Sequence, residues 1–236
     1  MNILLSNDDG FFSQGLTILT QILKKFGHEI FICAPDKERS CSGHGFSLNK
    51  EIVVKSIGHR IFSCSGLPAD SVHLAFREIF KDIRFDLMVA GINAGANLGQ
   101  DIFYSGTVAA AREAAFFGTP SIAISLCVHK LDDVFYYENG EYFFEKYFSA
   151  KQNFNFGEIL NVNIPNIPKA QINGIQVADL SFRQYSNNIK VLNGNNYNET
   201  SYFIQGDYQG YKSFNTMTDS KAVENGFISE TKIKIF

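Results

Sequence analysis

The sequence predicts an α/β protein with a mostly parallel sheet and a C-terminal antiparallel arm, and three observations carry that prediction. Short apolar runs alternate with segments of helical periodicity from the first residues onward, as in a chain built from β-α-β units. Several of these runs, such as EIFICAP and FDLMVAGI, are apolar almost throughout, as strands covered on both faces are. From Asn173 the pattern changes to short alternating stretches, IQVADLSF and SYFIQGDYQG, broken by Asn and Gly turns.

The first run, Ile3, Leu4 and Leu5, reads as a buried strand and is followed, after Ser6, by Asn7, Asp8, Asp9 and Gly10. A regular strand would send Asp8 and Asp9 to opposite faces, so the chain must leave strand geometry there if both serve one site, and Gly10 supplies that freedom. Two carboxylates at the carboxyl end of a first strand lie where open α/β sheets put their ligands, and they suit a hard divalent cation; a plain Asp- and Gly-rich turn accounts for them equally well. Leu16, Leu19, Ile22, Leu23 and Phe26 then repeat at helical spacing, with Ser13 as the cap and Gly27 as the left-handed stop. Glu29–Pro35 is the second strand. The loop after it, residues 36–46 (DKERSCSGHGF), returns to the same sheet end, where Ser40 can offer a hydroxyl oxygen to a metal and Lys37 and Arg39 can attract a phosphate. Gly43 and Gly45 would let this loop move as a lid, with His44 between them a loop histidine rather than a general acid.

Residues 51–65 show broken alternation and predict a peripheral hairpin. Residues 68–80 predict a helix, opened by Pro68, with Asp70 at the positive end of its dipole and Val72, Ala75, Phe76, Ile79 and Phe80 on one apolar face. Residues 85–92 form the next strand and run into NAGANLGQD, which brings the amides of Asn93 and Asn97 to a strand's carboxyl end. SGT at residues 105–107 precedes an Ala-rich helix closed by Gly118; its first-turn N–H groups make an anion site, although capping alone would account for Ser105 and Thr107. Residues 120–126 predict a strand, residues 132–151 an aromatic-rich helix interrupted by Gly140, and Glu158–Pro165 the last buried strand.

One domain over residues 1–236 fits this length, with residues of about 173–216 as an extended hairpin arm used in oligomerisation. Lys and Arg total 21 against 24 Asp and Glu, for a formal charge of −3 with no dense basic run, so no nucleic-acid polymer is expected as partner. No run reaches the roughly 18 apolar residues of a membrane span. No basic leader precedes the first strand, and the expected location is cytoplasmic. Four cysteines, Cys33, Cys41, Cys64 and Cys127, form no CxxC pair, which argues against a zinc site or a disulfide framework.

Five motifs stand together: SNDDG at residues 6–10, APDKERS at 34–40, SGLPADSV at 65–72, GINAGANLG at 91–99 and YSGTVAAA at 104–111. In this order and spacing, across almost the whole chain, the sequence resembles the SurE family, the survival-protein-E nucleotidases, which are metal-dependent phosphatases of nucleoside monophosphates. The resemblance implies a Rossmann-like three-layer domain whose C-terminal hairpin arm is exchanged between subunits of a homodimer or homotetramer. It implies Asp8, Asp9, Ser40 and Asn93 as ligands of one divalent cation, Mg²⁺ or Mn²⁺, and Asn97, Ser105, Gly106 and Thr107 as the phosphate pocket. The departures are local: the loop reads RSCSGHG, and residues 218–236 stop soon after SET, short of the family's longer C-terminal helix, which leaves dimer against tetramer open.

Both readings lead to metal-assisted hydrolysis of a phosphomonoester, and the resemblance implies 5′-nucleotides as substrates, with 3′-nucleotides as further candidates. No covalent intermediate is needed, and Asp8 or Asp9 accepts the proton of the attacking water. A Mg²⁺-binding receiver-type signalling domain is the rival, since it too has an acidic pair after its first strand; against it, the third strand ends in Gly91-Ile92-Asn93 without an acceptor Asp. A dinucleotide-binding oxidoreductase would need GxGxxG where SNDDG stands.

Overall fold

In the computed structural model, which describes residues 1–128, 134–150, 154–192, 199–212 and 215–235, a nine-stranded sheet is flanked by helices on both faces. The chain runs β1 (Asn2–Ser6), α1 (Gln14–Lys25), β2 (Glu29–Pro35), β3 (Val54–Gly58), β4 (Ile61–Cys64) and α2 (Pro68–Leu74). It continues through β5 (Leu87–Ala94), α3 (Gly106–Phe116), β6 (Ser121–Cys127), α4 (Asn139–Ser149) and β7 (Glu158–Pro165). The last part holds β8 (Ile175–Val177), β9 (Phe182–Tyr185), β10 (Asn188–Leu192), β11 (Ser201–Gln205), β12 (Tyr208–Lys212), α5 (Asp219–Glu224) and β13 (Ile228–Lys234).

The sheet order is β3-β4-β2-β1-β5-β6-β7-β13-β8, parallel from β4 through β7 and antiparallel at β3 and at the β7–β13 pairing. From β1 the chain winds first towards β2 and later to the other side through β5. The crevice that opens at such a reversal lies beyond the carboxyl end of β1, directly at Asp8 and Asp9.

Strand β1 is apolar throughout because each face has a cover. Ile3 and Leu5 pack with Leu16, Leu19, Phe143 and Phe144 of α1 and α4, while Leu4 packs with Val72 of α2 and with Val108 and Ala111 of α3. Helix α1 starts as expected, with the Ser13 hydroxyl accepting the Leu16 N–H at 3.4 Å, and Gly27 follows its end at φ 79°.

Four elements differ from the sequence expectation. The predicted helix over 68–80 is α2 followed by a π turn at Ala75–Ile79, because the same apolar face serves either winding. The aromatic helix begins only at Asn139, residues 134–138 being outside it; residues 129–133 and 151–153 lie outside the described residues. Gly140 does not interrupt that helix but sits in its first turn, where a Cβ would come 3.0 Å from Ile92 Cδ1, so the missing side chain lets α4 lie close on β5. Finally, β8 belongs to the main sheet, beside the unanticipated β13. The arm proper is therefore the antiparallel pairs β9–β12 and β10–β11, with residues 193–198 and 213–214 outside the described residues.

Candidate active site

The loop after β1 is shaped by its own side chains. Asn7 Nδ2 donates to the Gly10 carbonyl at 2.9 Å and to Ser13 Oγ at 2.7 Å, which bends the chain out of strand geometry. Gly10 has φ 96°, and a Cβ there would come 2.9 Å from the Lys37 carbonyl carbon. That close approach presses the loops after β1 and β2 together, and the Arg39 N–H donates to the Asp8 carbonyl at 2.7 Å.

A cavity of about 610 Å³ opens at this point, lined by Asp8, Asp9, Ser40, Asn93, Asn97 and Ser105. Six of the eight site residues singled out in the sequence thus line one cavity. Asp8 is buried and accepts the Gly106 N–H at 3.1 Å and the Thr107 hydroxyl. Gly106 and Thr107, expected in the phosphate pocket, accordingly face Asp8: the first turn of α3 already has a carboxylate as its anion. Burial pushes the Asp8 carboxyl up, against the pull of those hydrogen bonds. Asp9 accepts the Ala94 N–H at 3.0 Å, and burial together with the neighbouring Asp8 charge pushes it up to about 6. Neither carboxylate has an ion-pair partner among the described residues.

The remaining polar groups are held in place. Ser40 Oγ donates to Glu38 Oε1 at 2.7 Å, and Asn93 Nδ2 donates to the Gly95 carbonyl at 2.8 Å, which leaves the Asn93 amide oxygen for a ligand. Ser105 caps α3, its hydroxyl accepting the Val108 N–H at 3.0 Å. Asn97 is fixed from three sides: its N–H meets Asn163 Oδ1 at 2.8 Å, its Nδ2 meets Ser125 Oγ at 2.8 Å, and its carbonyl accepts from Asn161 Nδ2 at 2.7 Å. Asn161, Asn163 and Ser125 were not anticipated. Their signal was a polar residue inside otherwise apolar strand runs, SIAISLC and EILNVNIP.

Lys37 and Arg39 do not line the cavity. Arg39 turns instead to the Ser65 carbonyl and Asp36. Tyr104, Gln100, Asp101 and the arm residues Tyr185, Ile204 and Gly206 also line the cavity, a contribution that sequence periodicity does not reveal. The β9 strand is docked there through Gln100, which exchanges two hydrogen bonds with the Arg183 backbone (2.7 and 2.9 Å), and through Asp101, which binds the Arg183 guanidinium and the Tyr185 hydroxyl.

The described residues hold no group of three or more His, Cys, Asp or Glu placed to bind a metal. A cation here would need a mixed set of hard oxygens: two carboxylates, a hydroxyl and an amide. The residues fit it, because an acidic pair in a low-dielectric cleft with no compensating cation is the arrangement a divalent ion relieves.

Strand order and crevice together define a doubly wound α/β protein with an acidic site at the carboxyl ends of its strands. The chain belongs to the SurE family: the family described as Survival protein SurE matches residues 3–187. Proteins named 5′-nucleotidase SurE are similar along their length. The one from Mannheimia succiniciproducens is 39% identical over 243 residues, covering 100% of this chain and 93% of that protein. The one from Erythrobacter litoralis is 34% identical over 237 residues, covering 100% and 94%. Among solved structures, the SurE protein from Aquifex aeolicus superposes with a TM-score of 0.85 at 33% identity, over 100% of this chain and 94% of that one.

Proposed function

We propose that this chain is a 5′-nucleotidase that hydrolyses nucleoside monophosphates to nucleoside and phosphate, using one Mg²⁺ or Mn²⁺ held by Asp8, Asp9, Ser40 and Asn93. The observation that carries the reading is the uncompensated Asp8–Asp9 pair lining a cavity together with Ser40, Asn93, Asn97 and Ser105. The names of the full-length relatives support the substrate class. When bound, a cation supplies charge neutralisation for a phosphomonoester dianion and acidifies the attacking water. The protein does the rest. Ser105 and the second Asn97 amide hydrogen orient the phosphate, with Gly106 and Thr107 acting one step removed by fixing Asp8. Asp8 has both oxygens engaged by donors, whereas Asp9 has one oxygen free of the Ala94 N–H, so Asp9 is the better base for the water proton. Tyr104, Tyr185 and Ile204 offer ring faces and apolar surface to the nucleoside.

The arm's β10–β11 pair leaves Ile189, Val191, Tyr202, Phe203 and Ile204 exposed. A two-stranded ribbon of that kind is marginal alone, which supports its burial in a homodimer or homotetramer. No helix among the described residues is long and apolar enough to cross a membrane. The four cysteines are free, three of them buried, which fits a reducing cytoplasm. A receiver module is not favoured, since β5 ends in Asn93 and Ala94 where an acceptor Asp would stand.

The test is hydrolysis of a panel of 5′- and 3′-nucleoside monophosphates by chelated protein, before and after Mn²⁺ or Mg²⁺ is returned. Turnover of 5′-nucleotides only with a cation is expected. Full turnover in EDTA would overturn the metal assignment, and no turnover of any member with either cation would overturn the function.

A further inference from the structure

Outside the cavity lining, one buried carboxylate ties three parts of the protein together. Glu113, on α3, is 9% exposed at its side chain, and each of its oxygens meets an imidazole: Oε2 lies 3.0 Å from His44 Nε2 and Oε1 lies 2.9 Å from His73 Nδ1. Burial pushes this carboxyl up, but the hydrogen bonds and charge of His44 and His73 outweigh it and hold it below its ordinary range. Glu113 is thus an ionised acceptor facing two donors.

The two histidines come from different kinds of structure. His73 belongs to α2, packed into the frame through Val72 and Ala75. His44 belongs to the loop after β2, between Gly43 and Gly45, four residues beyond Ser40. That loop has no regular structure of its own. It is tied by the Arg39 N–H to the Asp8 carbonyl, the Gly43 N–H to the Tyr104 carbonyl at 2.9 Å, and the Ser47 N–H to Asp70 Oδ1 at 2.9 Å. His44 adds the side-chain anchor, its ring also stacked on Phe116 at 5.6 Å and 14°. Through it, the segment bearing Ser40 is fastened to the helix whose first turn holds Asp8.

We propose that Glu113 and His44 are a positioning pair, a latch that holds the Ser40 loop against α3 and so sets the affinity of the cleft for its divalent cation. The proposal rests on the reading of Ser40 as a cation ligand. Neither residue lines the cavity, so neither touches the substrate. Outer contacts of this kind typically govern metal affinity by about 10- to 100-fold. His73 is the internal control, because it bonds the same carboxylate from an element that carries no ligand.

The experiment is calorimetric titration of Mn²⁺ into metal-free protein carrying His44→Phe or His73→Phe, both of which keep an aromatic ring and lose the hydrogen bond, with melting temperatures measured alongside. The latch requires His44→Phe to weaken Mn²⁺ binding by about tenfold or more, with kcat at saturating Mn²⁺ close to wild type, and His73→Phe to leave binding within about twofold. His44→Gln, whose amide still donates, should recover most of the affinity. Equal weakening in both Phe variants would make the trio a packing feature only, and wild-type affinity in His44→Phe would overturn the latch outright. Should His44→Phe fail to fold, His44→Asn, too short to reach Glu113, takes its place. Absence of Mn²⁺ binding in wild type would instead overturn the cation site itself, and the latch with it.

Discussion

The Asp9→Asn variant probes the cleft most sharply, because its gain in stability should disappear when metal is added. In the metal-free protein, burial and the Asp8 charge raise Asp9 from 3.8 to about 6. An acid with a raised folded-state value binds its proton more tightly folded than unfolded, so the cost of Asp9 is absent at low pH, grows as pH rises through this interval, and is fully present above about 6. The interval is about 2.2 pH units, and at about 1.4 kcal/mol per unit the ionised carboxylate costs about 3 kcal/mol. Asparagine carries no charge at any pH, and its amide oxygen can still accept the Ala94 N–H. Chelated Asp9→Asn protein should therefore be more stable than wild type by about 3 kcal/mol at pH 7.5, about 6–12 °C in melting temperature for a chain of this size, and equal to wild type near pH 4. Saturating Mn²⁺ should then raise wild type by about 3 kcal/mol at a hundred times its Kd and leave the variant almost unmoved. The assay is a set of thermal melts in EDTA across pH 4–8, repeated with Mn²⁺. A chelated variant that melts at or below wild type at pH 7.5, or a gain that does not depend on pH, would refute the reasoning and make Asp9 a structural turn residue.

Three further outcomes follow from the same contacts. Thr107→Val removes the hydroxyl donated to Asp8; a hydrogen bond to a charged group contributes about 1.5–3 kcal/mol, so the chelated variant should lose about that much stability at pH 7.5 in denaturant unfolding, and an unchanged midpoint would return Thr107 to plain helix packing. Gly15→Ala would place a Cβ 1.9 Å from the Ile92 carbonyl oxygen, a backbone atom that cannot swing aside, so α1 must move off β5 at a cost of about 3 kcal/mol, read as denaturant midpoint. Asp101→Asn weakens the hold on Arg183 and Tyr185 that docks β9, and limited proteolysis should cut the arm several times faster than in wild type while the sheet domain stays intact.

Much of this architecture is legible in the sequence where one physical cause dominates. Glu29–Pro35 and Glu158–Pro165 have their expected bounds because strands covered on both faces are unbroken apolar runs set off by turns. Strand β13 was missed because ISETKIK alternates with charged residues and resembles a surface segment, although it lies between two strands of the sheet. IQV, only three residues long, carries no mark that distinguishes β8 from the arm that follows it. In the cleft, Asp8, Asp9, Ser40, Asn93, Asn97 and Ser105 could be grouped in advance, since each stands at or beyond the carboxyl end of a strand at the same sheet end. The direction in which Thr107 and Gly106 point could not, because a helix cap reads identically whether its donors face a ligand or a neighbouring carboxylate. Arg39 was misread for a related reason: charge predicts attraction to an anion, but only the fold decides that the Ser65 carbonyl and Asp36 are nearer.

The place of β13 in the sheet has a consequence for how the protein is made. It lies between β7 and β8 and is the last strand in chain order. While the chain is being synthesised, β7 can pair with β6 on one side, but its other edge stays open, and β8 has no neighbour in the sheet at all, until Ile228–Lys234 has emerged. Throughout that interval the nascent protein presents a bare strand edge together with the apolar ribbon of the arm, the two surfaces most apt to pair with a neighbouring chain. Closure of the sheet is thus tied to the emergence of Ile228–Lys234, and a ribosome stalled between the arm and β13 would leave a domain whose cleft loops are all present but whose sheet is still open to partners.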